Sequence, residues 1–304
     1  MVVRPRNDIV ELFGYAPDDL SVAARNAWDN RFCTFVNAPC SKANHDRSEI
    51  YGTCSVTSIG EECVICPNRL YANSYETLAA VARDAFGEDL NIFTYDQYVH
   101  NKRSGGGGLC VVALGQKSGK EVKLGRQLSM DWVLAMVDGG RLLEYVGVEV
   151  QSIDITGNYR DNWAAYRDLP YSSNVNHHIP PSGHGMNWAN VHKRLIPQLI
   201  RKGLIYSRSN LVTSGLYFIL PELVYRRFED VIGADIPLVF NKSPDHLTVM
   251  TYRIGDPVPH GFIRSLVPVR TIRFSLEEFS ARFVAGASLP SGKDLDLAVQ
   301  KGLL

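Results

Sequence analysis

The sequence predicts a mixed α/β (α+β) fold, one mixed sheet flanked by helices, and three observations predict it. Apolar runs of strand length recur at residues 109–114, 131–137, 146–151, 214–220 and 247–252. Among them, residues 75–86, the stretch from Asn190 to Gly203 and residues 221–228 read as helices. The 304 residues, 45% hydrophobic and 21% charged, describe an ordinary globular chain able to bury a full core.

Residues 8–28 read as helical, with Pro17-Asp18-Asp19 supplying a turn and a helix start. Irregular loops are expected over residues 37–59, and Gly87 is a C-cap for the helix of residues 75–86. Residues 91–98 read as a short strand or helix start, and the glycine run 105–108 as a flexible loop. Gly115-Gln116-Lys117-Ser118-Gly119-Lys120 lacks the spacing and the final hydroxyl residue of a phosphate loop. Asp138-Gly139-Gly140 is a turn between two strands. Residues 170–185 form a loop whose His177, His178 and His184 are expected in solvent or on phosphates. After Asn190 a helix carries Lys193, Arg194, Arg201 and Lys202; Pro197 should kink it or confine it to its first turns, and Gly203 stop it. Residues 262–283 add a strand and a helix bearing Arg264, Arg270, Arg273 and Arg282.

Lysine plus arginine equals aspartate plus glutamate at 32 each, so any nucleic-acid footprint must be local. The clearest local one is the basic stretch after Asn190, whose natural partner is backbone phosphate. No apolar run is long enough to span a bilayer, and residues 1–14 lack the apolar centre of a signal peptide, so a cytoplasmic protein with no membrane partner is expected. Cys33, Cys40, Cys54, Cys63 and Cys66 crowd one segment, while Cys110 stands apart. Clustered cysteines in such a compartment read as metal ligands more readily than as disulfides. By local spacing, Cys63-Val64-Ile65-Cys66-Pro67 is a knuckle that aims two sulfurs at one ion, zinc or iron.

The strand Val146-Gly147-Val148-Glu149-Val150-Gln151 carries the chemistry. Side chains alternate along a strand, so Glu149 and Gln151 share one face while Val148 and Val150 take the other. Pairing this strand with the run that Asp131 opens brings Asp131 near Glu149. Two close carboxylates repel unless a proton or a cation lies between them, and magnesium prefers such oxygen ligands. Glu121 is a third carboxylate within reach. An Asp, a turn and then Glu-x-Gln is a variant of the Asp…(Asp/Glu)-x-Lys nuclease signature. Against it stands the plain alternative of a strand cap and a solvated face. Asp154, Tyr159 and Arg160 follow at the C-terminal end of the strand, where open α/β sheets gather their ligands.

With these residues in view, the sequence resembles the NotI group of type II restriction endonucleases. The resemblance runs through Phe13-Gly14, Cys33, Cys40, Cys54, Cys66-Pro67-Asn68-Arg69 and Asp131-Trp132 with Leu134-Ala135. It continues through Tyr145, Gly147, Glu149, Gln151, Asp154, Gly157, Tyr159, Asn190-Val191 and Lys193-Arg194. It implies an N-terminal region, residues 1–75, with iron (or zinc) on the four cysteines Cys33, Cys40, Cys54 and Cys66. It further implies a PD-(D/E)xK endonuclease domain over residues 76–304, with Glu121, Asp131, Glu149 and Gln151 catalytic and Mg2+ on Asp131 and Glu149. The implied activity is cleavage of double-stranded DNA by a bacterial homodimer at a GC-rich palindrome with a GGCC-containing centre. Asp154, Tyr159, Arg160, Lys193 and Arg194 are then the DNA-binding candidates, with Arg or Lys reading guanine and Asp reading cytosine. The resemblance and the knuckle disagree about Cys54 and Cys63; Cys54 is preferred because both adjoining blocks align. A non-catalytic sequence-specific DNA-binding protein and a repair-type nuclease on the same core are the alternatives.

Overall fold

Seven strands make the central sheet: β4 Ile92–Thr94, β5 Cys110–Gly115, β6 Trp132–Asp138, β7 Arg141–Val150, β8 Leu216–Pro221, β9 His246–Ile254 and β10 Leu266–Ser275. They lie in the order β10-β9-β8-β7-β6-β5-β4, after a separate antiparallel sheet of β1 Ile9–Leu12, β2 Thr53–Ser58 and β3 Glu61–Val64. The coordinates are a computed structural model that describes residues 7–44, 48–87, 90–124, 128–171, 178–286, 289 and 291–303. The mixed sheet follows from the strands' patterns. The chain-central strands β7, β8 and β9 pair in parallel, and β8 is buried along its whole length, as a strand covered on both faces must be. Antiparallel pairing of β6 with β7 follows from their hairpin turn, where Gly139 and Gly140 take φ of 57° and 88°. Two consecutive left-handed residues match the twist of a tight hairpin.

Helices cover both faces. They are α1 Val22–Asp29, α2 Ala72–Phe86, α3 Tyr95–Arg103, α4 Arg160–Asp168, α5 Ile196–Tyr206, α6 Glu222–Ile232, α7 Leu276–Ala285 and α8 Gly292–Gly302. Leu78, Val81, Ala82 and Ala85 of α2 share a core with Trp132, Leu134, Val146, Val148, Val150, Tyr217 and Ile219. On the opposite face Leu199 and Tyr206 of α5, with residues of α6 and α7, pack with Val133, Leu216, Phe218 and Leu220. Among the described residues, no helix is long and apolar enough to cross a membrane.

Several sequence expectations need correction. Residues 8–28 are not one helical segment: Ile9–Leu12 pairs with β2, and the helix begins only at Val22, capped by Ser21. Tertiary pairing overrides local propensity here, because Ile9, Val10 and Leu12 are all buried. Residues 37–59 are not wholly irregular, since β2 occupies Thr53–Ser58. Gly203 does not end its helix; it lies inside α5, where a Cβ would meet the Leu276 side chain at 2.8 Å. Its missing side chain admits α7. Pro197 stands in the first turn of α5, after a π-helical stretch at Val191–Leu195, so it begins the helix instead of kinking it. Gly87, by contrast, caps α2 in the left-handed region with its N–H on the Arg83 carbonyl, as expected.

A buried ion pair ties β1 of the small sheet to the 3-10 turn Pro67–Tyr71 that leads into α2. Arg69 and Glu11 are both 0% exposed, with Arg69 Nε 2.9 Å from Glu11 Oε2. Ser55 Oγ donates to the same carboxylate oxygen at 2.8 Å. Arg69 Nη2 reaches the Arg264 carbonyl at 2.8 Å, and the guanidinium lies over the Phe35 ring.

Candidate active site

Register settles which side chains meet. Trp132 stands opposite Val148, so Asp131, one step before it, faces Glu149 on the α5 side of the sheet. Asp131 Oδ2 accepts a hydrogen bond from the Val150 N–H at 3.1 Å, which fixes its carboxylate at the end of β7. On the other side of the sheet, Trp132 Nε1 donates to the Tyr71 hydroxyl at 3.0 Å and its ring packs edge-on against Tyr71 and Tyr75. Tyr75 belongs to a left-handed opening of α2, with Asn73, Ser74 and Tyr75 at φ of 54°, 56° and 67°. Left-handed backbone of this kind costs about 1–2 kcal/mol per non-glycine residue. The aromatic packing beside Asp131 helps to hold it.

Glu149 is not on a solvated face. It is 3% exposed, and burial first, then the neighbouring Asp131, pushes its pKa up to about 8, against the opposing pull of the Lys202 ammonium. Lys202 donates to Glu149 Oε2 and the Asp131 backbone N–H also favours the ionised carboxyl, whereas Glu149 Oε1 is buried without a hydrogen-bond partner among the described residues. Next along the same face, Gly147 leaves room for Tyr206: a Cβ there would lie 2.1 Å from the ring. The Tyr206 hydroxyl is likewise buried without a partner among the described residues, and burial, then Glu149, raises its pKa.

The remaining sequence-predicted residues separate into two groups. Glu121 accepts from Ser129 Oγ and lies 2.9 Å from Lys123, and these partners hold its carboxyl below its ordinary pKa; among the described residues it does not form a three-residue metal-holding group with Asp131 and Glu149. Gln151 lines a cleft of about 250 Å³ with Asp154, Asn190, Arg194, Gln198 and Lys42. A second opening of about 360 Å³ shares Lys42 and Asp154 and adds Arg160 and Tyr159. Asp154 accepts from Asn190 Nδ2 at 3.0 Å, which ties the turn after β7 to the π-helical stretch. Arg160, Lys193 and Arg194 are exposed, but Tyr159 is buried with its ring edge-on to Tyr51. The basic patch predicted on α5 is divided, because Arg201 faces solvent while Lys202 faces Glu149. Sequence reading missed both Lys202 and Lys42 in these roles. Only the stripe Gln198, Lys202, Tyr206 at helical spacing hinted at the first, and nothing in the spacing at the second.

Cys33, Cys40, Cys54 and Cys66 converge. Burial first, and then Cys66, Glu11, Cys33 and Cys40 in turn, raise the Cys54 pKa well above the ordinary thiol value. Cys63 points away from them, pushed up to about 12 by burial with Arg226 and Glu61 as its charged neighbours. All these thiols are free. They are not drawn into a ligand shell: among the described residues, no group of three or more His, Cys, Asp or Glu is arranged to hold a metal ion.

Of the three loop histidines, His177 lies outside the described residues. His178 is exposed, whereas His184 is buried, which corrects the expectation of a solvated ring. Its Nε2 lies 2.8 Å from the Thr57 carbonyl, an acceptor only, so Nε2 carries the proton and Nδ1 accepts from Ser182 Oγ at 2.6 Å. Burial lowers the His184 pKa from 6.5. The neutral ring therefore contributes stability above pH 6.5 that is lost as pH falls through the lowered folded value. His184→Gln should lose this part of the acid dependence. Urea titrations near neutral pH and near pH 5 check it, and parallel curves for the two proteins would refute the assignment.

Compared with known proteins, the chain matches no family model, and a search of curated proteins returns no significant match.

Proposed function

We propose that this chain is a type II restriction endonuclease that hydrolyses double-stranded DNA with Mg2+ on a PD-(D/E)xK core, acting as a homodimer at a GC-rich palindrome with a GGCC-containing centre. The observation that carries the reading is the Asp131–Glu149 pair, set side by side on one face two residues before Gln151, which lines a polar cleft, with Glu149 Oε1 buried and without a hydrogen-bond partner among the described residues. An orphaned carboxylate oxygen beside a second carboxylate suits a hard cation. Magnesium commonly takes one or two protein carboxylates and completes its shell with water and substrate phosphate. When bound there, it would polarise the phosphoryl oxygen and acidify a water.

The chain's own residues supply the rest. Asp131, anchored by the Val150 N–H, and Glu149, anchored by Lys202, hold their carboxyl groups side by side. Gln151 stands where the signature has lysine; its amide orients water or a phosphate oxygen but neutralises no charge. Arg160, Lys193, Arg194 and Lys42 are candidates to engage phosphates or guanine, and Asp154 to accept from cytosine N4. A two-fold dimer would present one such set to each half-site.

The test is incubation of the purified protein with large GC-containing DNA, with and without Mg2+, followed by mapping of the ends. Discrete magnesium-dependent fragments sharing a palindrome are expected. Bound but uncut DNA would favour a sequence-specific binding protein, and unspecific degradation a repair-type nuclease. The thiol cluster is the second element of this reading: Cys33, Cys40, Cys54 and Cys66 lie near one another without forming a ligand shell, and a structural four-thiolate iron or zinc site would require them to close on the ion. Metal content of purified protein should fall on Cys54→Ser and persist in Cys63→Ser; the reverse outcome would move the site to the Cys63 knuckle.

A further inference from the structure

We propose that Lys202, carried by a helix, is the fixed cation that the Asp…Glu-x-Gln strand lacks, and that it acts as a positioning residue by holding Glu149 through Oε2. The inference rests on the nuclease reading above and names a residue that neither the strand pattern nor its spacing contains.

The geometry comes from two matched repeats. Four residues of α-helix advance about 6 Å, and two residues of strand about 6.6 Å. Gln198, Lys202 and Tyr206 of α5 therefore run in step with Glu149 and Gly147 of β7 and with Gln151 just beyond its end. Each level of the match has its own observation. Gln198 and Gln151 line the same cleft. Lys202 donates to Glu149. Tyr206 sits on Gly147, where any side chain would collide with its ring. Gly203, next to Lys202, admits Leu276 of α7, so the helix is held on both sides.

The charges point to a purpose beyond packing. Lys202 is 8% exposed and Glu149 3% exposed. A buried ion pair is weak ground for stability, since well-packed apolar residues often serve as well or better. Here the ammonium takes one oxygen of a carboxylate whose other oxygen is buried and unpaired, beside Asp131. One cation bonds Glu149, and the second carboxylate, Asp131, stands beside that residue. That arrangement fixes the Glu149 rotamer while leaving Oε1 for a further positively charged partner, which is the work the motif lysine would share.

The experiment compares wild type, Lys202→Met and Lys202→Arg on a plasmid that wild type cuts. It measures single-turnover cleavage against Mg2+ concentration, DNA retention in EDTA and in Ca2+, and thermal unfolding. Lys202→Met should slow cleavage by about 10²-fold, the scale of losing one preorganised electrostatic group. Its half-saturating Mg2+ should rise at least severalfold and the Ca2+-dependent gain in DNA retention should shrink, with retention in EDTA unchanged. Lys202→Arg should recover part of both losses. Cleavage by Lys202→Met within a few-fold of wild type overturns the proposal and leaves the nuclease reading standing. Loss of EDTA-resistant DNA retention in both variants, without rescue by arginine, shows a purely structural role and also overturns it. If Lys202→Met does not fold, Lys202→Gln, which keeps a donor for Glu149 Oε2 but no charge, decides: unchanged Mg2+ and Ca2+ dependence overturns the proposal. Absence of magnesium-dependent cleavage in wild type overturns the nuclease reading and this inference together.

Discussion

Asp131→Asn and Glu149→Gln should each lower magnesium-dependent cleavage by about 10²–10³-fold or more, the scale of removing one preorganised group from a transition state. DNA binding in EDTA should stay close to wild type, since the exposed cleft cations are untouched. Amide variants are preferred to alanine for a reason visible in the structure. Glu149→Ala would leave the Lys202 ammonium buried without its carboxylate, and so mix a folding loss with a catalytic one. Asp131→Asn keeps an oxygen for the Val150 N–H and removes only the charge. Gel assays of cleavage over a range of Mg2+ concentrations, with binding measured in parallel, separate the two effects. Full cleavage by either variant would remove Asp131 and Glu149 from the mechanism.

Arg69→Met is expected to destabilise the fold by about 3–5 kcal/mol, the usual cost of stranding one member of a buried ion pair. Glu11 would keep its Ser55 hydrogen bond but lose its only ion-pair partner among the described residues, in a position 0% exposed. The Arg264 carbonyl would lose the Arg69 donor as well. Replacing both partners, Glu11→Met with Arg69→Met, should recover much of the loss, because apolar residues of similar volume remove the stranded charge. Denaturant titrations of the single and double variants check this. Equal stability of wild type and Arg69→Met would show that water or local rearrangement meets Glu11 instead.

The elements legible in the sequence are those whose signal is local. Gly139-Gly140 marked the hairpin because only glycine takes two left-handed residues cheaply, and Gly87 marked the end of α2 for the same reason. The apolar runs of β5, β6, β7 and β8 were readable because buried strands must be apolar. Less legible was β1, whose residues 9–12 acquire a strand conformation only from pairing with residues some forty positions away. The terminal helix α8 was not foreseen; it has a capping box at Ser291 and Asp294 but buries no residue, so no core-facing stripe announced it.

By itself, the sequence determined the alternating α/β pattern, the strand on which Glu149 and Gln151 share a face, and the hairpin that returns Asp131 to it. Strand periodicity and turn chemistry act over a few residues, so they can be read in order along the chain. Only the tertiary structure decided that Glu149 is buried rather than solvated, that Lys202 reaches it from α5, that Glu121 stays with Lys123, and that Cys63 turns away from the other four clustered thiols. Those outcomes depend on which helix face meets which strand, at separations such as the 53 residues between Glu149 and Lys202. Charge pairing over that distance leaves no periodic trace in sequence, because it is set by packing register and not by local conformation.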